Sequence, residues 1–244
     1  MISIALDIET TGVDPETSQI LEIGFVVFDT ASNLTPFDEL PKGKVRIQHQ
    51  NIHGNIFAIN MNKEIIADIN RSIKDKDFVN EQRALGVIYV PVERYAASWL
   101  QELIKTKAEA AGFSIPSEDS GEFRKSLVFT AAGKNFSSFD MRFLERLPQW
   151  DLCFKINRRS LDPTVLYFYP GEDSVPPDLN TCVERMKENL EVLDNRFYHA
   201  HQEVEELRGI LLHEHSSRHD SLCDCWDVIR TLRYQWELNN LIDN

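Results

Sequence analysis

No apolar stretch in this chain approaches the roughly 20 residues that a membrane-crossing helix needs, so no transmembrane segment is expected. Cysteine is scarce. Cys153, Cys182, Cys223 and Cys225 are the four present, and none forms a Cys-x-x-Cys pair. That argues against a disulfide scaffold and predicts a reduced, cytoplasmic protein. The start, Met-Ile-Ser-Ile-Ala-Leu, lacks the basic residues and the length of a secretory signal. Positive charge is short as well: 26 Lys and Arg stand against 39 Asp and Glu, for a formal net charge of −13. Non-specific duplex binding draws on many Lys and Arg contacts to phosphate, and the chain has no overall excess to provide them. A nucleic-acid substrate would therefore be captured locally, as a short single-stranded end, with metal ions supplying much of the positive charge. An acidic hydrolase of another substrate fits the charge equally well. There is no internal repeat and no low-complexity tract. The pairs His199-x-His201 and His213-x-His215 would split onto different faces of a helix, and no suitable Cys pair follows them, which argues against structural zinc. No coherent Ser or Cys nucleophile constellation is present.

What is there describes an ordinary globular chain: 244 residues, 42% hydrophobic and 27% charged. The length suits one elaborated α/β domain spanning 1–244, or equally two domains. Ile2 to Leu6 is a continuous apolar run ending in a carboxylate, as in a central buried strand. Ile20 to Phe28 and Val45 to Gln48 read as the next strands, Leu127 to Thr130 as a fourth and Ser160-Leu161 as the last. Helices are expected over Asn55–Ile69, Val92–Ala111, Met141–Arg146, Leu179–Leu193, Phe197–His213 and Ser221–Leu238. Tyr95, Trp99, Leu103 and Ile104 should share one face of the second of these.

Three short segments carry chemistry. Asp7-x-Glu9 closes the first strand, where residues two apart face the same side. Two carboxylates at the end of a buried run are costly unless something compensates them, and a divalent cation with oxygen ligands does so. A helix cap plus a surface acid in the turn is the plain alternative. Phe139-Asp140 follows the fourth strand and places Asp140 at a helix start, as a ligand or as an acid favoured by the helix dipole. His219 and Asp224 lie five residues apart at the start of the last helix. There Asp224 can face the sheet while His219 reaches a bound water.

In this order and these local contexts, Asp7-x-Glu9-Thr-Thr-Gly, Phe139-Asp140 and His219-x-x-x-x-Asp224 resemble the DEDDh branch of 3′–5′ exonucleases. That superfamily includes the proofreading subunit of DNA polymerase III, RNase T and oligoribonuclease. The resemblance is sharp only at the three motifs, and beside a compact member of that family it implies that this chain is a single exonuclease domain with additions around 51–90, 115–122 and 180–215. It implies an RNase H-like α/β fold, a five-stranded mixed sheet flanked by helices, and two divalent cations, Mg²⁺ or Mn²⁺. It further implies that Asp7 bridges both ions, that Glu9 and Asp224 complete the first site, that Asp140 holds the second ion, and that His219 is the general base. The partner would be the 3′ end of single-stranded RNA or DNA, and some members of the superfamily are homodimers. A catalytically weak nucleic-acid-binding module of the same fold and a hydrolase of a small phosphoester are the alternatives.

For substrate contacts, the turn Thr10, Thr11 and Gly12 can bind a terminal nucleotide through its backbone. Phe57 and Met61 can stack on or wedge against a base, although with Ile59 and Ile65 they also read as core. Asn135 and Phe139 are further candidates, and Phe136 shares the ambiguity of Phe139. Lys155, Arg158 and Arg159 form a basic cluster that reads more readily as a solvated face.

Overall fold

The long central strands of this chain follow its apolar, largely β-branched and aromatic runs. The computed structural model describes residues 1–31, 35–119, 125–197, 208–212 and 220–242. Among them seven strands form one mixed sheet: β1 (Ile2–Thr10), β2 (Ile20–Asp29), β3 (Lys42–Ile47), β4 (Val87–Val90), β5 (Ser117–Asp119), β6 (Lys125–Ala132) and β7 (Phe154–Ile156). The order runs β4-β3-β2-β1-β6, with β5 and β7 both paired to β6. β1 is antiparallel to β2 and parallel to β6, so it lies in the middle. The chain thus forms the expected α/β architecture, a mixed sheet flanked by helices.

The expected five strands correspond to β3-β2-β1-β6-β7, and two short ones are added. β4 extends the β3 edge in parallel, and β5 pairs antiparallel with the start of β6, inside the expected loop 115–122. The last strand is displaced from the expected position. β7 lies at Phe154–Ile156, and Leu161 makes only an isolated bridge to Ala132. Phe154 and Ile156 pack into the core around Lys155, which points out, and that alternation is the stronger strand signal.

Among the described residues, eight α-helices are accompanied by short 3-10 turns and a helical stretch at 208–211. α1 (Ile56–Met61) and α2 (Lys63–Ser72) replace the expected single helix over 55–69. The break falls at Asn62, whose side-chain Nδ2 donates to Thr10 O at 3.0 Å. α3 (Lys76–Ala84) was not expected, and Asp75 caps it by accepting from Phe78 N at 2.9 Å. α4 (Ala96–Ala110) buries Ala96, Ala97, Leu100, Leu103, Ile104 and Ala108. Tyr95, which precedes α4, and Trp99 are 39% and 43% exposed, so of the expected face only Leu103 and Ile104 are buried, beside small residues that let the helix lie close to the sheet. α5 (Asp140–Leu144), α6 (Trp150–Cys153), α7 (Leu179–Phe197) and α8 (Ser221–Ile242) complete the set. The expected helix over Phe197–His213 lies largely outside the described residues, as do Ser120 to Glu122 of the expected loop.

The sheet separates two cores. Ile4, Leu6 and Ile8 of β1 pack with Phe25, Val45 and the α4 side chains Leu100 and Ile104. Ala5 faces the other way and meets Val26, Phe28 and the α8 residues Trp226 and Ile229. Each large side chain buried in this way contributes about 1.5–3 kcal/mol. Alternation along β1 then puts Asp7 and Glu9 on the α8 face, in line with Ala5. Gly24 is the cross-strand partner of Asp7. A Cβ there would overlap the Ser221 side chain at the start of α8. Gly24→Ala is therefore expected to push α8 off the sheet and cost about 1–3 kcal/mol, read as a lower urea midpoint at unchanged m-value.

Candidate metal centre

The register of β1, β2 and β3 sets two rows across the α8 face of the sheet. Asp7 pairs with Gly24 and Gly24 with Lys44, while Glu9 pairs with Glu22 and Glu22 with Arg46. Directly paired residues share a face, so acids on β1 and β2 meet bases on β3. α8 covers this face, and Asp224 sits in its first turn, with its N–H bonded to Asp220 O at 3.0 Å. One ligand oxygen from each of Asp7, Glu9 and Asp224 can be chosen so that all lie within 4.8 Å of one another.

Asp140 opens α5 beside this cluster and is 4% exposed. Its Oδ1 accepts from Ile8 N at 3.2 Å, which ties the α5 start to β1. Burial raises the Asp7 carboxyl well above its ordinary value, and Asp140, Asp224 and Glu9 add to the effect. Glu9 is pushed up to about 8 by burial, then by Asp224 and Glu22, while the Asn62 amide and Lys44 work the other way. Asp140 rises to about 7, mainly through burial; backbone N–H groups oppose the rise and Asp224 adds to it. Buried carboxylates that repel one another in this way form a hard oxygen donor set, and the chemistry fits a divalent cation such as Mg²⁺ or Mn²⁺.

Glu22 has a different part. It is fully buried; its Oε1 accepts from Ser221 Oγ at 2.6 Å and faces Lys44 Nζ at 3.2 Å, and its Oε2 takes Arg46 Nε at 2.6 Å. Arg46 Nη1 continues to Asp68 Oδ2 at 2.6 Å and to Tyr89 OH at 3.1 Å. Lys44 Nζ also reaches Asp220 Oδ2 at 2.7 Å. Burial alone would lower the Lys44 ammonium, but Glu22 and Asp220 outweigh it and hold it above its ordinary value. The same contest, won by Glu22, raises the Arg46 guanidinium. Reading the sequence missed Glu22, Lys44, Arg46 and Asp220. A usable signal was there: a Glu inside the apolar run Ile20–Phe28, and Lys-x-Arg at period two in the next strand.

The remaining candidates divide. The turn after β1 is braced by Thr11 N to Gln19 O at 2.9 Å, Thr10 Oγ1 to Gly12 O at 2.6 Å and Asn55 N to Thr11 O at 2.7 Å. The last bond seats α1 beside the turn. Phe57 and Met61 project from α1 at 78% and 52% exposure, so the core-packing reading of these two is corrected; Ile65 alone of that set is buried. They face solvent because α1 has no buried residue, and α2 supplies the packing through Ile65 and Ile69. Phe136 is buried, and Phe139 is partly buried with its ring 5.3 Å from Phe143. Asn135 takes a left-handed conformation (φ 53°), and its N–H donates to Asp162 Oδ2 at 2.9 Å. Lys155 pairs with Glu118 at 2.8 Å. His219 lies outside the described residues, as do His199, His201, His213 and His215.

No family model matches the chain, and no curated protein matches it. Among solved structures it is similar to an exonuclease I from Methylocaldum szegediense, with 16% identity and a TM-score of 0.48 over 99% of this chain and 42% of that one. A product-bound exonuclease I gives 13% identity and a TM-score of 0.45, over 99% of this chain and 45% of the other. The chain thus spans less than half the length of either. No helix among the described residues is long and apolar enough to cross a membrane.

Proposed function

We propose that the chain is a metal-dependent 3′–5′ exonuclease acting on single-stranded RNA or DNA and releasing nucleoside 5′-monophosphates. The observation that carries this reading is the convergence of Asp7, Glu9 and Asp224 on one face of the sheet, with Asp140 bonded to the N–H of Ile8, the residue after Asp7. In this reading Asp7, Glu9 and Asp224 would hold one divalent cation, and Asp7 with Asp140 would hold a second. Bound there, such ions would supply Lewis acidity to the scissile phosphate. The protein's own part is to bind, orient and move a proton. His219 accepts the proton of the water that attacks phosphorus, a step suited to its unperturbed pKa of about 6.5. The bond from phosphorus to the 3′ oxygen breaks, leaving a nucleoside 5′-monophosphate and a strand one residue shorter with a 3′ hydroxyl.

The exposed Phe57 and Met61 beside the Thr10–Gly12 turn give the terminal base an apolar surface. Phe57→Ala should raise KM on a short oligonucleotide on the order of tenfold with kcat little changed, since one base stack is worth about 1–3 kcal/mol. Equal KM values for the two proteins would remove Phe57 from the site.

The test of the function is a pair of single strands, one labelled at each end, incubated with Mg²⁺, Mn²⁺ or EDTA. The reading expects a metal-dependent ladder from the 5′-labelled strand and early release of a labelled mononucleotide from the 3′-labelled one. Binding without cleavage would instead favour a non-catalytic nucleic-acid module. Hydrolysis confined to a nucleotide ester would favour a small phosphoester substrate.

A further inference from the structure

Two side chains tie the start of α8 to the sheet, and both end on Glu22. Ser221 Oγ donates to Glu22 Oε1, across a sequence separation of 199 residues. Lys44, 6% exposed on β3, places Nζ between that same oxygen and Asp220 Oδ2. A buried ammonium needs its partners close, and these two carboxylates belong to different elements, one to β2 and one to the residue before α8. Satisfying Lys44 therefore brings those elements together, and Gly24 leaves the room for it. Asp224 lies one turn further along the same helix and is bonded through its N–H to Asp220 O.

We propose that Lys44 is a positioning residue for the candidate metal centre: by gripping Asp220 it holds the first turn of α8, and with it Asp224, where the helix carboxylate can share a cation with Asp7 and Glu9. The metal part of this rests on the reading of those three residues as ligands. Asp220 makes the idea separable from ordinary helix capping. Its Oδ1 caps the helix by accepting from Leu222 N at 2.9 Å, and its Oδ2 faces Lys44. Asparagine caps a helix about as well as aspartate, so Asp220→Asn keeps the cap and removes the charge that Lys44 holds.

The test compares the full-length wild type with Asp220→Asn, Lys44→Met and the double variant, by amide hydrogen exchange and by calorimetric titration with Mn²⁺. Asp220→Asn is the safeguard, because Lys44→Met strips Glu22 and Asp220 of a shared cation and can unfold the chain. In Asp220→Asn, exchange over 222–226 should quicken at least about tenfold while β1 and β2 stay protected. Mn²⁺ affinity should fall about 10–100-fold, the usual loss when a partner behind a ligand is removed. The double variant should be no worse than Lys44→Met, since the two residues act as one unit. Wild-type exchange and wild-type affinity in Asp220→Asn would overturn the proposal, and so would a loosening spread evenly over the sheet. A wild-type chain that binds no Mn²⁺ would overturn the ligand reading itself, and the exchange data would then decide the anchoring by Lys44 separately.

Discussion

Asp7→Ala is expected to lower kcat on single-stranded oligonucleotides by on the order of 10³-fold or more, with the folded state retained. Cation-assisted stabilisation of a phosphoryl transition state is worth several kcal/mol, and each 1.36 kcal/mol is tenfold in rate. Asp7 is the position where the loss should be largest, because its carboxyl feels Asp140, Asp224 and Glu9 at once. In the proposed reading it serves both ions. Removing one of several mutually repelling buried acids also relieves strain in the metal-free protein, so the variant should melt no lower than wild type. His219→Asn offers a contrast within the same experiment. It should reduce kcat by about 10²–10⁴-fold, the range of general-base catalysis, while KM and Mn²⁺ affinity stay close to wild type. Single-turnover kinetics on a 5′-labelled strand would measure both. Full activity in Asp7→Ala would end the metal mechanism, and full activity in His219→Asn would reassign the base.

The second large effect concerns stability. Without divalent cations the protein should lose stability as the pH rises from about 5 to 8. The sign follows from the carboxylates. Glu9 titrates at about 8 in the folded chain against an ordinary value of 4.5, and Asp140 at about 7 against 3.8. Asp7 shifts in the same direction. Between those values the folded state keeps protons that the unfolded chain has released, so unfolding becomes easier with rising pH. In the proposed reading a bound cation would take the place of those protons, and its affinity would grow as they leave. Mn²⁺ at a hundredfold excess over its Kd should add about 2.7 kcal/mol, or about 5–10 °C in Tm for a chain of this size, at pH 8. The gain should shrink toward pH 5. Melting curves with Mn²⁺ and with EDTA at four pH values would measure it. Parallel pH dependences in the two series would show that no cation binds at these carboxylates.

The two cores and the site differ in how far the sequence reveals them. Four expected strands fell on β1, β2, β3 and β6; β1, β2 and β6 were plain because each holds a run of apolar residues bounded by turn signals, a pattern contained in a few neighbouring positions. Asp7, Glu9 and Asp140 were legible for the same reason, as acids at the end of a buried strand or the start of a helix. β4 and α3 were passed over although each carries a local signal: Val87–Val90 is a β-branched and aromatic run between Gly86 and Pro91, and Asp75 is a cap residue directly before α3. The packing reading of Phe57 and Met61 failed because periodicity shows that a face is apolar, without showing whether anything covers it.

By itself, then, the sequence determined the kind of fold and the order of most of its elements, through side-chain alternation and apolar runs. It singled out acids at the end of β1 and the start of α5, and the resemblance of three motifs supplied their grouping as candidate ligands. Only the tertiary structure decided that Glu22 is occupied by Lys44, Arg46 and Ser221 and that Lys44 reaches Asp220, and it brings Asp224 to Asp7 and Glu9 as the resemblance implied. Those contacts join residues that lie far apart along the chain. They depend on strand register, on the closeness that Gly24 permits, and on how buried charges find partners once the sheet and α8 have come together.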